Sequence, residues 1–185
     1  MSNTQTKKFL SLGYLLIVIG AIATLPVSVL SVVFTLLLAE SAATILTILV
    51  YVNYAITALI LAGFILAAIY LGTEMKNNVL LIISFATMCG AALFTLLSLF
   101  VAGTAITVLG SLCEIAAVVL FMIATKVDTS SLIKICVLFG LSFILPFIAT
   151  AVIANSYYVA FAIALAAGVC YLIYAISFKK IADKN

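Results

Sequence analysis

Six long apolar runs, separated by short polar stretches, restrict the fold of this sequence more than any other feature. A helix that spans a bilayer needs about 20 mostly apolar residues. Lipid offers backbone amides no hydrogen-bond partners, so spanning segments are helices or parts of closed barrels. Continuous rather than alternating apolar runs favour helices. We predict an all-α polytopic membrane protein with one domain, residues 1–185, and spans at 9–38, 42–71, 78–101, 104–125, 132–153 and 157–178.

The amino-acid composition supports lipid as the main solvent of this chain. Hydrophobic residues make up 68% of the sequence and charged residues 7%. A soluble domain has about 45–50% apolar and about 25% charged residues. A soluble fold could not cover so much apolar surface. The predicted partner is therefore the lipid bilayer, and the predicted location is the cytoplasmic membrane of a prokaryote.

The lysines predict how the bundle is oriented in its membrane. Six spans place both termini on the same side, and all eight lysines of the chain fall on that side. Cytoplasmic loops carry an excess of Lys and Arg. We therefore predict that the N-terminus and the C-terminus are both cytoplasmic. The lysines concerned are Lys7, Lys8, Lys76, Lys126, Lys134, Lys179, Lys180 and Lys184.

Missing residue types exclude several classes of chemistry. The chain has no His and no Arg, so it lacks an imidazole base and a bidentate phosphate ligand. Its four cysteines lie in different apolar runs and form no C-x-x-C pair. We therefore expect them to act as small buried hydrophobic residues. A net charge of +3 with scattered lysines does not suggest nucleic-acid binding. We predict no catalytic site, no metal site, no cofactor and no nucleic-acid partner.

Glu114 is the strongest candidate for a functional site. It lies near the middle of the fourth predicted span, where a charged side chain costs about 2.5–3.5 kcal/mol on insertion scales. Helical spacing places Thr107 and Ser111 on the same face. We predict that this small, hydroxylated face forms an approach from the outside to the carboxyl group, which would bind a proton, an ion or a substrate.

No Lys or Arg lies at the depth of Glu114, so its predicted partners are neutral. Three polar residues of the second span, Tyr51, Asn53 and Tyr54, are the main candidates. The sequence also predicts helix kinks at Pro26 and Pro146, because proline leaves a carbonyl one turn earlier without its donor. The first two spans are long, and we predict a bent or protruding hairpin with Glu40 in water at its tip.

A weak internal repeat relates the two ends of the chain. Residues 11–57 align without a gap on residues 131–177, with eleven identities in 47 positions. The match includes Tyr51-x-x-Tyr54 on Tyr171-x-x-Tyr174. Tyr174 is expected near the end of its span, however, whereas Tyr54 lies well inside its own. A true duplication and a chance match in a narrow composition both stay open.

Two functions fit these features. The first is a non-catalytic accessory or scaffold subunit in which the Glu114 carboxyl group is a hydrogen bond between helices. The alternative is a small transporter or channel that uses Glu114 to bind a proton, a cation or a small solute. Stripes of small residues would suit helix packing within one chain, a homo-oligomer or a larger membrane complex.

Overall fold

Every regular secondary-structure element in the described parts of the chain is an α-helix, which confirms the predicted all-α class. A computed structural model describes residues 3–37, 42–154 and 156–184. The predicted tip residue Glu40 lies outside these ranges. The six helices are α1 (Asn3–Leu37), α2 (Ala42–Glu74), α3 (Val79–Ser98), α4 (Thr104–Ala124), α5 (Thr129–Val152) and α6 (Tyr157–Ala182).

All six helices are long and apolar enough to cross a membrane. The longest apolar segments are Lys8–Phe34 in α1 and Thr44–Glu74 in α2, with 27 and 31 residues. Large apolar side chains cover the outside of the bundle, for example Ile48 and Phe100. In water such a surface would drive aggregation, whereas lipid solvates it. The fold is therefore that of a membrane-type helical bundle.

Helix α1 continues through Pro26 to Leu37 and does not end at the Ser-rich segment that follows the proline. The Ser28 hydroxyl donates to the carbonyl of Thr24 at 2.8 Å, and Ser31 donates to Val27. These bonds satisfy the hydroxyls inside the helix. Pro146 likewise lies within the continuous helix α5.

The helices form a ring in chain order. Each helix packs against its neighbours in sequence, and α1 packs against α6 to close the ring. Short links make consecutive helices antiparallel. Helices α4 and α5 make the sparsest contact of any neighbouring pair. The ring is therefore tight within its three hairpins and loose at the seam between α4 and α5.

Two glycines set the close approach of α1 and α2. A Cβ atom built on Gly13 would lie 2.6 Å from the carbonyl oxygen of Gly63, and the converse distance is also 2.6 Å. Real Cβ atoms do not come this close to backbone oxygens. Small residues that allow backbones to touch are the usual basis of helix association in lipid. This contact fixes the first hairpin.

The two ends of the bundle differ in charge and packing. We call one end the lysine end, where α1, α3 and α5 begin and α2, α4 and α6 finish, and the other the far end. The described lysines lie toward the lysine end because of this topology. The largest buried side chains also cluster in that half, among them Tyr14, Leu71, Phe121 and Phe178.

A polar contact joins the two terminal helices at the lysine end. The Ser11 hydroxyl of α1 donates to the carboxylate of Asp183, which follows α6, and the ammonium of Lys179 lies 2.9 Å from the same carboxylate. The bond from Ser11, followed by that from Lys179, lowers the pKa of Asp183 below its ordinary value. Because the pKa is lower in the folded state, the ionised carboxylate stabilises the fold at pH values above the ordinary pKa of an aspartate.

We expect a small stabilisation from this contact that disappears in acid. Asp183→Asn should lower the stability of the protein at pH 6 by less than about 1 kcal/mol, because the carboxylate is largely exposed. The difference from the wild type should shrink as the pH falls below about 4 and disappear once the pH lies below the lowered pKa of Asp183, where the carboxylate takes up a proton. Thermal unfolding in a neutral detergent at several pH values measures it. A difference that stays constant as the pH is lowered through this range contradicts the assignment.

Candidate functional site

Glu114 lies at the centre of α4, as the eleventh of 21 helical residues. Its side chain is only 4% exposed. An ionised carboxylate in such a place needs a partner or several hydrogen bonds, since burial alone is costly. Its surroundings on α4 are Ser111 one turn toward the far end and Val118 one turn toward the lysine end. The carboxyl group therefore divides a polar half of this face from an apolar half.

Two tyrosines of α6 hold the carboxyl group. The Tyr171 hydroxyl donates to Oε1 of Glu114 at 3.0 Å and lies 3.2 Å from Oε2. The Tyr174 hydroxyl donates to Oε1 at 2.9 Å. These distances are normal for hydrogen bonds between oxygens. Glu114 therefore connects α4 to α6 across the interior of the ring.

A third tyrosine extends this network to α1. The hydroxyls of Tyr14 and Tyr174 lie 3.2 Å apart, and Tyr14 is the donor because Tyr174 donates its one proton to Glu114. Both tyrosines are fully buried. The hydroxyl and carboxyl groups of Tyr14, Tyr174 and Glu114 thus form a continuous hydrogen-bonded chain over three helices. We call these three residues, together with Tyr171, the carboxyl–tyrosine cluster.

Aromatic rings close the site toward the lysine end. Phe178 packs on Tyr14 with ring centroids 4.4 Å apart, and Phe121 packs on Phe178 at 5.9 Å. Phe139 of α5 packs on Tyr174 at 5.0 Å. Edge-to-face packing at such distances is favourable, and both Phe121 and Phe178 are buried. Aromatic side chains therefore cover the cluster on this side.

A large cavity approaches the cluster from the far end. Its volume is about 960 Å³, and it lies between α1, α4, α5 and α6, along the loose seam between α4 and α5. Tyr171 and Ser111 line its inner part, and Pro146 lies on its wall. Most of its polar lining consists of hydroxyl groups, so we call it the hydroxyl cavity. Besides the hydroxyl group of Tyr171, these groups belong to Thr24, Ser28, Thr104, Thr107, Ser111, Ser142 and Thr150.

A smaller cavity of about 220 Å³ reaches Glu114 itself. It lies between α2, α3, α4 and α6. Thr107, Ser111 and Tyr171 line both cavities, so these three residues separate the hydroxyl cavity from the carboxyl group. A ligand in the hydroxyl cavity is thus one layer of polar side chains away from Glu114.

The structure brings together one half of the predicted site residues. Glu114, Ser111 and Thr107 share one face of α4 and line the cavities, in the arrangement predicted from helical spacing. The predicted partners on α2 are not at the site. Tyr51 is 67% exposed and Tyr54 45% exposed, and Asn53 is exposed as well. These three residues lie on the outside of the bundle, in a stretch of α2 whose residues 51–55 are all exposed.

The true partners of Glu114 were missed, although the sequence held a signal for them. Tyr171 and Tyr174 are three residues apart and so lie on one helix face. They occupy the positions that the internal alignment pairs with Tyr51 and Tyr54. The sequence alone does not show which of the two tyrosine pairs faces α4. The packing of α6 in the closed ring decides this, because it turns Tyr171 and Tyr174 toward Glu114.

The fold and the cluster define a class of protein. This is a six-helix bundle of membrane type with one buried carboxyl group held by tyrosines under a hydroxyl-lined cavity. Comparisons with protein-family models, with curated proteins and with solved structures gave no match to this chain. Its function therefore has to be inferred from the geometry of the site.

Proposed function

We propose that this chain is a non-catalytic integral membrane protein that moves a proton or a small cation across its bilayer, with Glu114 as the binding group. The observation that carries the proposal is the hydroxyl cavity, which leads from the far end of the bundle to the carboxyl–tyrosine cluster at mid-helix. Ionisable residues at such a depth in a membrane usually mark ion or proton routes.

The asymmetry of the site suits a binding site that opens to one side at a time. Toward the far end the cluster meets the hydroxyl cavity, and toward the lysine end it meets Phe121 and Phe178. Access from the second side requires the helices to move. The seam between α4 and α5 has the least packing to break. Transporters that alternate access move packed units around a fixed site in this way.

The proposed orientation follows from the lysines. We propose that the lysine end faces the cytoplasm, since cytoplasmic loops carry the excess of positive residues. The hydroxyl cavity then opens toward the outside, and both termini are cytoplasmic. We propose the prokaryotic cytoplasmic membrane as the location. Labelling a cysteine introduced after Ala182, in a variant whose four native cysteines are replaced by alanine, with and without permeabilised cells, tests this orientation.

The flux experiment uses purified protein in liposomes that contain a pH-sensitive dye. A pH gradient is imposed in the presence of an ionophore for a counter-ion, which dissipates the membrane potential. The change of internal pH is then recorded. Wild type should conduct protons faster than empty liposomes, and Glu114→Gln should lower this rate to the level of the empty liposomes. Glutamine keeps the shape of the side chain but cannot take up or release a proton.

The matched control is Glu74→Gln, which removes a carboxylate at the lysine end of α2, outside the cavities. Its flux should equal that of the wild type. Size-exclusion profiles must show that all three proteins are monodisperse. Equal flux for wild type and Glu114→Gln, well above that of empty liposomes, rules out Glu114 as the group that binds the transported proton.

A second function is supported by a separate observation. The bonds from Tyr171 and Tyr174 fix α4 to α6, which is what an interhelical hydrogen bond in a scaffold or accessory subunit does. In that case the protein would act through a homo-oligomer or a larger membrane complex. Wild-type proton flux no greater than that of empty liposomes, together with a loss of stability in Glu114→Gln, would favour this function over transport.

A further inference from the structure

We propose that the hydroxyl cavity binds a small organic ammonium ion, with its N–H groups on the hydroxyl oxygens and its charge directed to Glu114. This inference rests on the proposed transport function and names its substrate class. A protonated amine with an apolar or aromatic body of modest size fits all four properties of the cavity, namely its charge, hydrogen bonding, aromatic lining and size.

The charge of the site favours a cation. Glu114 is the one residue with a formal charge among those that line the two cavities in the described part of the chain. The lysines lie at the other end of the bundle. An anion in the cavity would therefore find no positive partner and would face a carboxyl group. A cation would gain from the carboxylate in a site where water screens little.

The hydroxyl groups favour a ligand that donates hydrogen bonds. Four of them donate a hydrogen bond to a backbone carbonyl of the same helix, with oxygen–oxygen distances of 2.7–2.8 Å. A hydroxyl that donates to its own backbone keeps its oxygen lone pairs for other partners. The cavity wall therefore offers mainly acceptors. These hydroxyls belong to Thr24, Ser28, Ser142 and Thr150.

Aromatic faces add a second attraction for a cation with an organic body. Phe139, Phe143, Phe147 and Tyr171 line the hydroxyl cavity, and the rings of Phe143 and Phe147 are 5.4 Å apart. Ring faces attract ammonium groups, most strongly where water is excluded, and they also pack on apolar groups. A carboxyl group, hydroxyl oxygens and ring faces together recognise both ends of an organic amine.

Size and ligand set argue against a bare metal ion. The volume of about 960 Å³ is at the upper end of pockets for drug-sized molecules. A divalent cation needs six or more oxygen ligands, several of them carboxylates, at about 2–2.6 Å. In the described ranges no three His, Cys, Asp or Glu side chains come together. A small organic ion has ample room in this space, whereas a divalent metal ion would be poorly coordinated.

Binding of the ammonium ion should compete with a proton. The cation is attracted by the carboxylate, so a protonated Glu114 must release its proton before the pair forms. The ionisable groups that face this carboxyl group are Tyr14 from α1 and Tyr171 and Tyr174 from α6. The parts of α2 and α3 that line the smaller cavity contribute only Thr, Ser, Ile and Phe. Affinity should therefore rise with pH as protons become scarcer.

Two probes of the same shape and opposite charge test the inference. The cation is 2-phenylethylammonium and the anion is 3-phenylpropionate, and equilibrium dialysis against purified protein in a neutral detergent gives both affinities. We expect the cation to bind at least about tenfold more tightly at pH 7.5. Its affinity should fall when the pH is lowered to 6, at which the amine itself stays charged.

Three variants locate the bound cation. Glu114→Gln should weaken the binding of 2-phenylethylammonium at least about tenfold and remove its pH dependence. Thr107→Phe, which places a ring in both cavities, should weaken it similarly even if Glu114→Gln folds poorly. The control Thr47→Phe makes the same substitution at an exposed position of α2 that lines neither cavity, and it should bind like the wild type.

The outcomes separate this inference from the proposed function. If the cation binds no more tightly than the anion while proton flux still depends on Glu114, the substrate class is wrong and the transport of protons stands. If the cation binds with the expected preference, pH dependence and variant effects, the inference is supported whatever the flux result. If neither Glu114→Gln nor Thr107→Phe changes the binding of the cation, the cation does not bind in the hydroxyl cavity and the inference is wrong.

Discussion

Gly13→Ala should destabilise the protein by about 3 kcal/mol. The added Cβ atom would lie 2.6 Å from the carbonyl oxygen of Gly63 and 3.1 Å from the amide nitrogen of Ala67. Both neighbours are backbone atoms, which cannot rotate away as a side chain can. Helices α1 and α2 must therefore separate along their contact. Titration with a denaturing detergent, followed by circular dichroism, measures the loss.

The chain contains a matched control for this substitution. Gly140 lies inside α5, and a Cβ atom there would meet nothing within 4 Å. Gly140→Ala adds the same methyl group to a helix without a clash, and alanine favours helix over glycine. Its stability should equal or exceed that of the wild type. If Gly13→Ala behaves like Gly140→Ala, the close contact of α1 and α2 is not present.

Tyr174→Phe should lower stability by about 1–2 kcal/mol. The substitution keeps the ring packing on Phe139 but removes the hydroxyl that bonds Oε1 of Glu114 and faces Tyr14. It leaves the Tyr14 hydroxyl, which is fully buried, without its partner. Tyr54→Phe is the control, since that ring is 45% exposed on the outside of α2 and should be neutral.

A double-mutant cycle tells whether Glu114 and Tyr174 act together. The double variant Glu114→Gln with Tyr174→Phe should be more stable than the sum of the single effects predicts, because both changes remove the same bond. Simple additivity would show that the bond contributes nothing to the fold. The same proteins can enter the flux assay, so stability and transport are compared on identical samples.

The spans were predictable because lipid imposes a strong rule on composition. Each apolar run satisfies the length rule without knowledge of its neighbours, and the structure has a helix at every one. The face of Glu114, Thr107 and Ser111 was also predictable, since helical periodicity is a local property. These predictions needed only residues close together in the chain.

The partners of Glu114 were not predictable for two physical reasons. First, nearly all helix faces here are apolar, so hydrophobicity does not tell which face is inside. Second, α6 extends to Ala182, four residues beyond the predicted end of its span. Tyr174 therefore lies about two turns before the helix end, deeper than predicted, where its long side chain reaches the middle of α4.

The chain order of the cluster has a consequence for biogenesis. Glu114 receives its hydrogen bonds from residues that follow it by 57 and 60 positions. A ribosome therefore delivers α4 to the membrane before the tyrosines of α6 exist. Until then the carboxyl group must remain with water, lipid headgroups or an insertase. We expect that a nascent chain stopped before α6 is retained by the insertion machinery and degraded, and that release coincides with the arrival of the last helix.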